Sequence, residues 1–217
     1  MKYLNVIPLT IIAFMSCQQE KHSLTQCELY VRFEETTQKI VAEATLFQLD
    51  KNNKNQPLKP EGGVSFMGSN MESNELPGGK IRYRYEYQGT LPKSMSLAWN
   101  NPDGGKSTVS VEALSVGDFQ LTMEQGQHQL IFEGQPLAKD ETLKLLFTDA
   151  KRKMVNISVD GPSSSNTLSI DQNALRELAS GKGQLSLVRT KTYANSDNNI
   201  ATNITFSFYS KVEDVDL

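Results

Sequence analysis

The stretch Lys80-Ile81-Arg82-Tyr83-Arg84-Tyr85-Glu86-Tyr87 alternates without a slip. Ile81, Tyr83, Tyr85 and Tyr87 share one parity, and Lys80, Arg82, Arg84 and Glu86 share the other. Successive side chains of an extended chain point to opposite faces. A period of two therefore predicts a β-strand with one buried face, and aromatic side chains suit that pleated surface. A helix would spread the same tyrosines around its whole circumference. This reading puts Ile81 and the tyrosines in the core and the charges in solvent.

The same pattern recurs on both sides. Upstream, Leu29, Val31 and Phe33 alternate with Tyr30, Arg32 and Glu34, and Ile40, Ala42, Ala44 and Leu46 alternate with Val41, Glu43, Thr45 and Phe47. A polar loop from Asp50 to Pro60, a short apolar piece from Val64 to Met67 and a turn-rich loop from Asn70 to Gly79 separate these from the tyrosine strand. Downstream come Met95, Leu97 and Trp99, a strong turn at Asn100 to Gly105, and Val109, Val111 and Ala113. Short strands at this spacing, punctuated by turn residues and with no helical run among them, predict a sandwich.

Leu114 to Gly117 reads as a boundary, after which the pattern restarts. Phe119, Leu121 and Met123 precede a turn at Gln125-Gly126; then come Leu130 and Phe132, Leu143, Leu145 and Phe147, Val155, Ile157 and Val159, and Leu168 and Ile170. One helix of eight to ten residues is predicted, with Asp171 as N-cap, Ala174, Leu175, Leu178 and Ala179 at helical spacing, and Gly181 as its stop. Leu185 and Leu187 begin a strand that runs to Tyr193, Ile204, Phe206 and Phe208 are the last buried face, and Lys211 to Leu217 is an acidic, frayed tail. The expected fold class is all-β: two tandem antiparallel β-sandwich domains, residues 27–117 and 118–217, with one short helix in the second. Size and strand spacing look immunoglobulin-like or fibronectin-like, although the Cys-Trp-Cys hallmark of true immunoglobulin domains is absent.

The N-terminus carries a different signal. Lys2 is followed by an apolar run from Val6 to Met15, broken only by Pro8 and Thr10, and then by Ser16-Cys17 and polar Gln18, Gln19, Glu20 and Lys21. The run is shorter than the roughly 20 residues needed to span a bilayer and has the length of a secretory signal. It resembles the bacterial lipoprotein signal, and Phe14-Met15 fits the looser form found in Bacteroidota. The resemblance implies cleavage after Ser16, lipidation of Cys17, and a tether over residues 17–26. It also implies anchoring at the outer membrane, on its periplasmic or surface face. Two or three acyl chains on one cysteine would make attachment lasting, since each buried CH2 contributes about 0.8 kcal/mol. The whole chain is similar to surface lipoproteins of Bacteroidota built from such sandwich domains.

The 217 residues carry 22 Lys and Arg against 25 Asp and Glu, a net charge of −3. With no basic block, nucleic acid is not an expected partner. If Cys17 carries lipid, Cys27 has no partner in the chain and packs as a small apolar residue in the first strand.

No catalytic constellation is legible. His22 falls in the tether, and His128 is read as a solvated histidine beside a turn. Ser163-Ser164-Ser165 lacks the Gly-x-Ser-x-Gly elbow of a serine hydrolase. Glu86, Glu112, Asp140, Glu141 and Asp149 are read as solvated charges rather than paired acids. Asp50-Lys51-Asn52-Asn53 and Asn195 to Asn199 offer oxygen ligands, but one carboxylate each is fewer than calcium sites use, and turn geometry explains them. No metal ligand or cofactor is assigned. Tyr30, Phe47, Tyr193 and Tyr209 lie on the parity opposite the core and are candidates for an exposed aromatic surface or, equally, for an interdomain or partner contact. The expected role is a non-enzymatic, membrane-anchored binding or scaffold module for adhesion or assembly with a protein partner. The alternatives are an accessory glycan-binding lipoprotein and a small envelope hydrolase.

Overall fold

The computed structural model describes residues 24–49, 54–102, 104–124, 126–197 and 199–217. The signal, Cys17, His22 and the Asp50 to Asn53 loop lie outside the described residues.

The first half of the chain forms β1 (Thr25–Glu34), β2 (Lys39–Leu49), β3 (Asn55–Pro57), β4 (Val64–Phe66), β5 (Ser69–Asn70), β6 (Glu72–Glu75), β7 (Ile81–Gln88), β8 (Ser94–Asn100) and β9 (Lys106–Glu112). The second forms β10 (Phe119–Glu124), β11 (Gln127–Phe132), β12 (Glu141–Asp149), β13 (Met154–Asp160), β14 (Thr167–Ile170), α1 (Gln172–Leu175), β15 (Lys182–Asp197), β16 (Ile200–Tyr209) and β17 (Glu213–Asp216). Among the described residues the chain is all-β with one short helix, as its alternation predicts. β1 already begins at Thr25, so the last two residues of the expected tether are strand.

Ten strands make one large sheet in the order β13-β12-β15-β16-β1-β2-β7-β6, with β17 alongside β15 and β3 alongside β2. A four-stranded sheet, β5-β4-β8-β9, comes from the first half, and a three-stranded sheet, β10-β11-β14, from the second. The expected division near residue 117 therefore falls between the two small sheets, while the large sheet runs across it.

The crossing is the β1–β16 pair, the one parallel pairing among the described strands; every other ladder is antiparallel. Its register sets Leu29 beside Ile204, Val31 beside Phe206 and Phe33 beside Phe208, all buried. The Phe33 and Phe208 ring centroids are 5.7 Å apart. Same-face apolar neighbours on adjacent strands stabilise by about 0.2–1 kcal/mol a pair in antiparallel sheets, and a parallel pair between distant segments needs a long crossover. Here nearly the whole chain is that crossover. One core results: it takes in Leu29, Leu46 and Leu97 from the first half and Leu130, Leu145, Leu187 and Phe206 from the second.

The small sheets pack on the large one. Phe66 of β4 meets Tyr85 of β7 at 5.4 Å between ring centroids. At β11, Phe132 lies 6.0 Å from the Arg189 guanidinium. Cys27 is fully buried, and burial pushes its thiol up to about 12, so it packs as an apolar residue.

Four expectations need correction. On β7 only Tyr83 is fully buried; Tyr85 is half-buried and Tyr87 is 44% exposed, because the small sheet covers only the start of the strand. Met123, at the end of β10, is likewise exposed. The helix is a single turn: Asp171 does cap it, accepting from the Asn173 N–H at 2.9 Å. The chain then leaves the helix, because the Ala179 N–H is taken by Asp149 Oδ2 at 2.9 Å, and Gly181 exchanges backbone hydrogen bonds with Leu217. The same bonds overturn the frayed tail, since β17 pairs with β15 and Val215 is buried.

Candidate functional site

Two features offer a ligand something to hold. The first is an edge. β13 ends the large sheet, pairing with β12 on one side only. Its seven residues are uncharged from Met154 through Val159. Val155, Ile157 and Val159 turn half-buried toward the core, while Asn156 and Ser158 are exposed and Met154 is 73% exposed. Helix α1 lies against β13, but four helical residues span about 6 Å, against about 23 Å for seven residues of strand, so most of the edge is left bare.

Both ends of β13 are pinned. At the turn from β12, Asp149 Oδ1 accepts from the Lys151 and Lys153 N–H groups at 2.8 and 2.9 Å. The Ala179 N–H on the other carboxylate oxygen, with those two amides, holds the Asp149 carboxyl below the usual carboxylate range. At the far end Thr142 Oγ1 donates to Asp160 Oδ1 at 2.8 Å. Behind the edge, Glu141 of β12 and Arg189 of β15 form a buried ion pair. The Arg189 Nε–H donates to Glu141 at 3.0 Å, and its remaining N–H groups reach the Ser115 and Pro136 carbonyls at 3.1 and 3.2 Å. The pair thereby ties the segment between the two small sheets to the large sheet.

The second feature is a cleft of about 410 Å³ where β9 faces the β15–β16 hairpin. Asn101, Ser107, Tyr193, Asn195 and Thr202 supply polar groups, and Val109 and Ile204 the apolar floor. Ser107 is buried, and its hydroxyl donates to Asn101 Oδ1 at 2.8 Å. Tyr193 is half-buried, its hydroxyl 3.5 Å from the Ser110 carbonyl and its ring 5.6 Å from Lys191 Nζ. Burial above all raises the Tyr193 phenol above its ordinary value.

The residues marked from sequence are scattered. His128 is buried on β11, opposite Met123 and Ile170, not solvated. The parity it shares with Leu130 and Phe132 was the signal for that. Glu141 and Asp149 are buried and bonded as described, whereas Glu86, Glu112 and Asp140 are exposed. Glu86 is held at about 2 by Lys39 first and then Arg84. The Ser163 hydroxyl braces its own loop, accepting from the Leu137 N–H and donating to the Ser165 carbonyl, each at 2.8 Å. Of the off-parity aromatics, Phe47 is buried beside Pro57 of β3 with Lys80 Nζ 5.9 Å from its ring centroid, and Tyr30, Tyr193 and Tyr209 are half-buried. Tyr30 and Tyr209 hydrogen-bond each other, and Tyr193 alone of the four lines the cleft. Asn195 reaches the same cleft. Among the described residues, no group of three or more His, Cys, Asp or Glu is placed to hold a metal.

No protein-family model and no curated protein sequence matches the chain. Among solved structures it is similar to dimeric latent PorU from Porphyromonas gingivalis, with 9% identity and a TM-score of 0.32 over 94% of this chain and 21% of that one. It is also similar to the Yersinia pseudotuberculosis adhesin InvE, with 15% identity and a TM-score of 0.27 over 84% of this chain and 58% of that one. The tandem Ig repeats of Dlar match at 11% identity and a TM-score of 0.27, over 86% of this chain and 99% of theirs. The chain thus spans less than two thirds of the PorU and InvE chains.

Proposed function

We propose that the chain is a non-enzymatic binding module, held at the outer membrane by lipid on Cys17, whose β13 edge takes an extended strand of a partner protein. The observation that carries this reading is the bare edge itself: seven residues long, uncharged between Met154 and Val159, and ending the sheet. An edge strand presents unpaired N–H and C=O groups, and natural sheets blunt such edges with charge, proline or shortness. β13 uses none of these along its middle. Strand addition gives affinity through backbone hydrogen bonds and specificity through alternate side chains. Pinning at Asp149 and Asp160 keeps the edge extended before a partner arrives. The lipid keeps the module concentrated where partners pass.

The test is photo-crosslinking in intact cells, with the crosslinker at Asn156 in one variant and at Ser73 of β6 in another. The expected result is a discrete adduct from Asn156 that disappears when Ser158 is also changed to Lys, and none from Ser73. Equal adducts from both positions, or none from Asn156, would overturn the edge reading. Anchoring is tested separately: Cys17→Ala should move the protein from the membrane to the soluble fraction. Protease added to whole cells then tells the surface face from the periplasmic one.

A further inference from the structure

The cleft between β9 and the β15–β16 hairpin plays no part in strand addition, and its chemistry is different. At about 410 Å³ it falls within the roughly 300–1,000 Å³ of small-molecule sites. Among its described lining residues there is no carboxylate to attract a cation, and Lys106 is the one charged residue. What it does hold is amides, hydroxyls, one aromatic ring and a small apolar floor. We infer that this cleft binds a neutral mono- or disaccharide, laid against Tyr193 and hydrogen-bonded by Asn101, Ser107 and Asn195.

Two observations lead there. The Ser107 hydroxyl donates to Asn101 Oδ1 at 2.8 Å, which fixes both side chains. That bond leaves the Asn101 amide as a donor and the Ser107 oxygen as an acceptor, a set suited to neighbouring sugar hydroxyls, each of which both gives and takes a hydrogen bond. Asn195 is exposed at the hairpin end, and its backbone carbonyl, not its side chain, takes the Thr202 hydroxyl at 3.3 Å, so its amide is not committed to that contact. The ring of Tyr193 and the floor of Val109 and Ile204 suit the C–H face of a pyranose. An anionic sugar would meet Lys106 in the lining and Lys191 over the Tyr193 ring, the latter already facing Asp140 at 3.7 Å, which favours a neutral ligand.

The probes are maltose, cellobiose, lactose and N,N′-diacetylchitobiose, followed by saturation-transfer NMR on the full chain in detergent, with chemical-shift or calorimetric titration of any that respond. The expected result is binding of at least one of them with a Kd of about 1 mM or tighter. Tyr193→Ala and Asn195→Ala should each weaken it about tenfold, while Tyr193→Phe, which keeps the ring, retains most of it. Asn195 is exposed, so its variant guards against loss through unfolding, and thermal melts of each variant confirm the fold. Asn156→Lys with Ser158→Lys on β13 should leave saccharide binding unchanged, which separates this site from the strand edge. Absence of binding by all four sugars at about 10 mM, or binding indifferent to Tyr193→Ala and Asn195→Ala, overturns the assignment.

Discussion

At one end of the ten-stranded sheet stands β6, four exposed residues long, with glutamate at both ends and a Pro-Gly-Gly turn one residue after it. At the other stands β13, seven residues long and uncharged from Met154 through Val159. Their supports differ as much as their edges. Behind β6, Arg84 bridges Glu43 and Glu86, and Lys39 meets Glu86 at 2.7 Å, all on the solvent face of β2 and β7. Behind β13, Glu141 and Arg189 are each about 4% exposed. Charge at the β6 end discourages company. Charge at the β13 end is hidden in the foundations, and the edge is left plain. The contrast teaches that an unprotected edge is kept where the strand beneath it is held rigidly enough not to unravel.

The comparison can be broken from several sides. The largest effect is expected from Glu141→Ala, which leaves the Arg189 guanidinium buried and unpaired. Such a loss costs about 3–5 kcal/mol, and pairing it with Arg189→Met should recover much of it. Denaturant titration of the two variants measures both numbers. Next comes Asp149. Its folded carboxyl sits below the ordinary value, so the stability it contributes is full above the unfolded-state carboxylate value and is lost as pH falls through the folded one. Asp149→Asn should therefore lower the melting temperature at neutral pH and flatten its decline on acidification. Melts across acid pH show either outcome.

The edges themselves are exchanged by charge. Asn156→Lys with Ser158→Lys should abolish partner capture with little change in melting temperature. Removing acid from the opposite edge, Glu72→Thr with Glu75→Thr, should by contrast increase self-association in sedimentation runs. The smallest effect is expected at the solvent-face charges. Glu43→Gln should cost less than about 1 kcal/mol, and high salt should erase the difference.

The alternation of Leu29 to Phe33, Met95 to Trp99 and Leu143 to Phe147 was legible because strand parity is local: each side chain's facing is set by its neighbours. What parity cannot report is which strands share a sheet. β1 and β16 lie at opposite ends of the chain, and nothing within either segment names the other. The buried acids were misread for the same reason. Glu141 looks like a turn carboxylate until Arg189, 48 residues on, is beside it, and the Asp149 partner Ala179 is 30 residues away. The helix was overextended because its apolar spacing continues past Leu175, while the bond that stops it comes from outside. The bare edge of β13 was in the sequence as an uncharged run, but only the sheet order showed that no described strand follows it. The cleft draws on β9 and the β15–β16 hairpin, far apart in sequence, and neither stretch signals it alone.

Amide hydrogen exchange on the full chain tests the edge most directly. Along Val155 to Val159, amides should alternate: those bonded to β12 protected like the β1–β16 seam, those facing outward exchanging at near-loop rates. On addition of the partner captured at Asn156, the outward set should become protected while β6 stays unchanged. Uniform protection of β13 in the free protein, or no gain with the partner bound, would contradict the account.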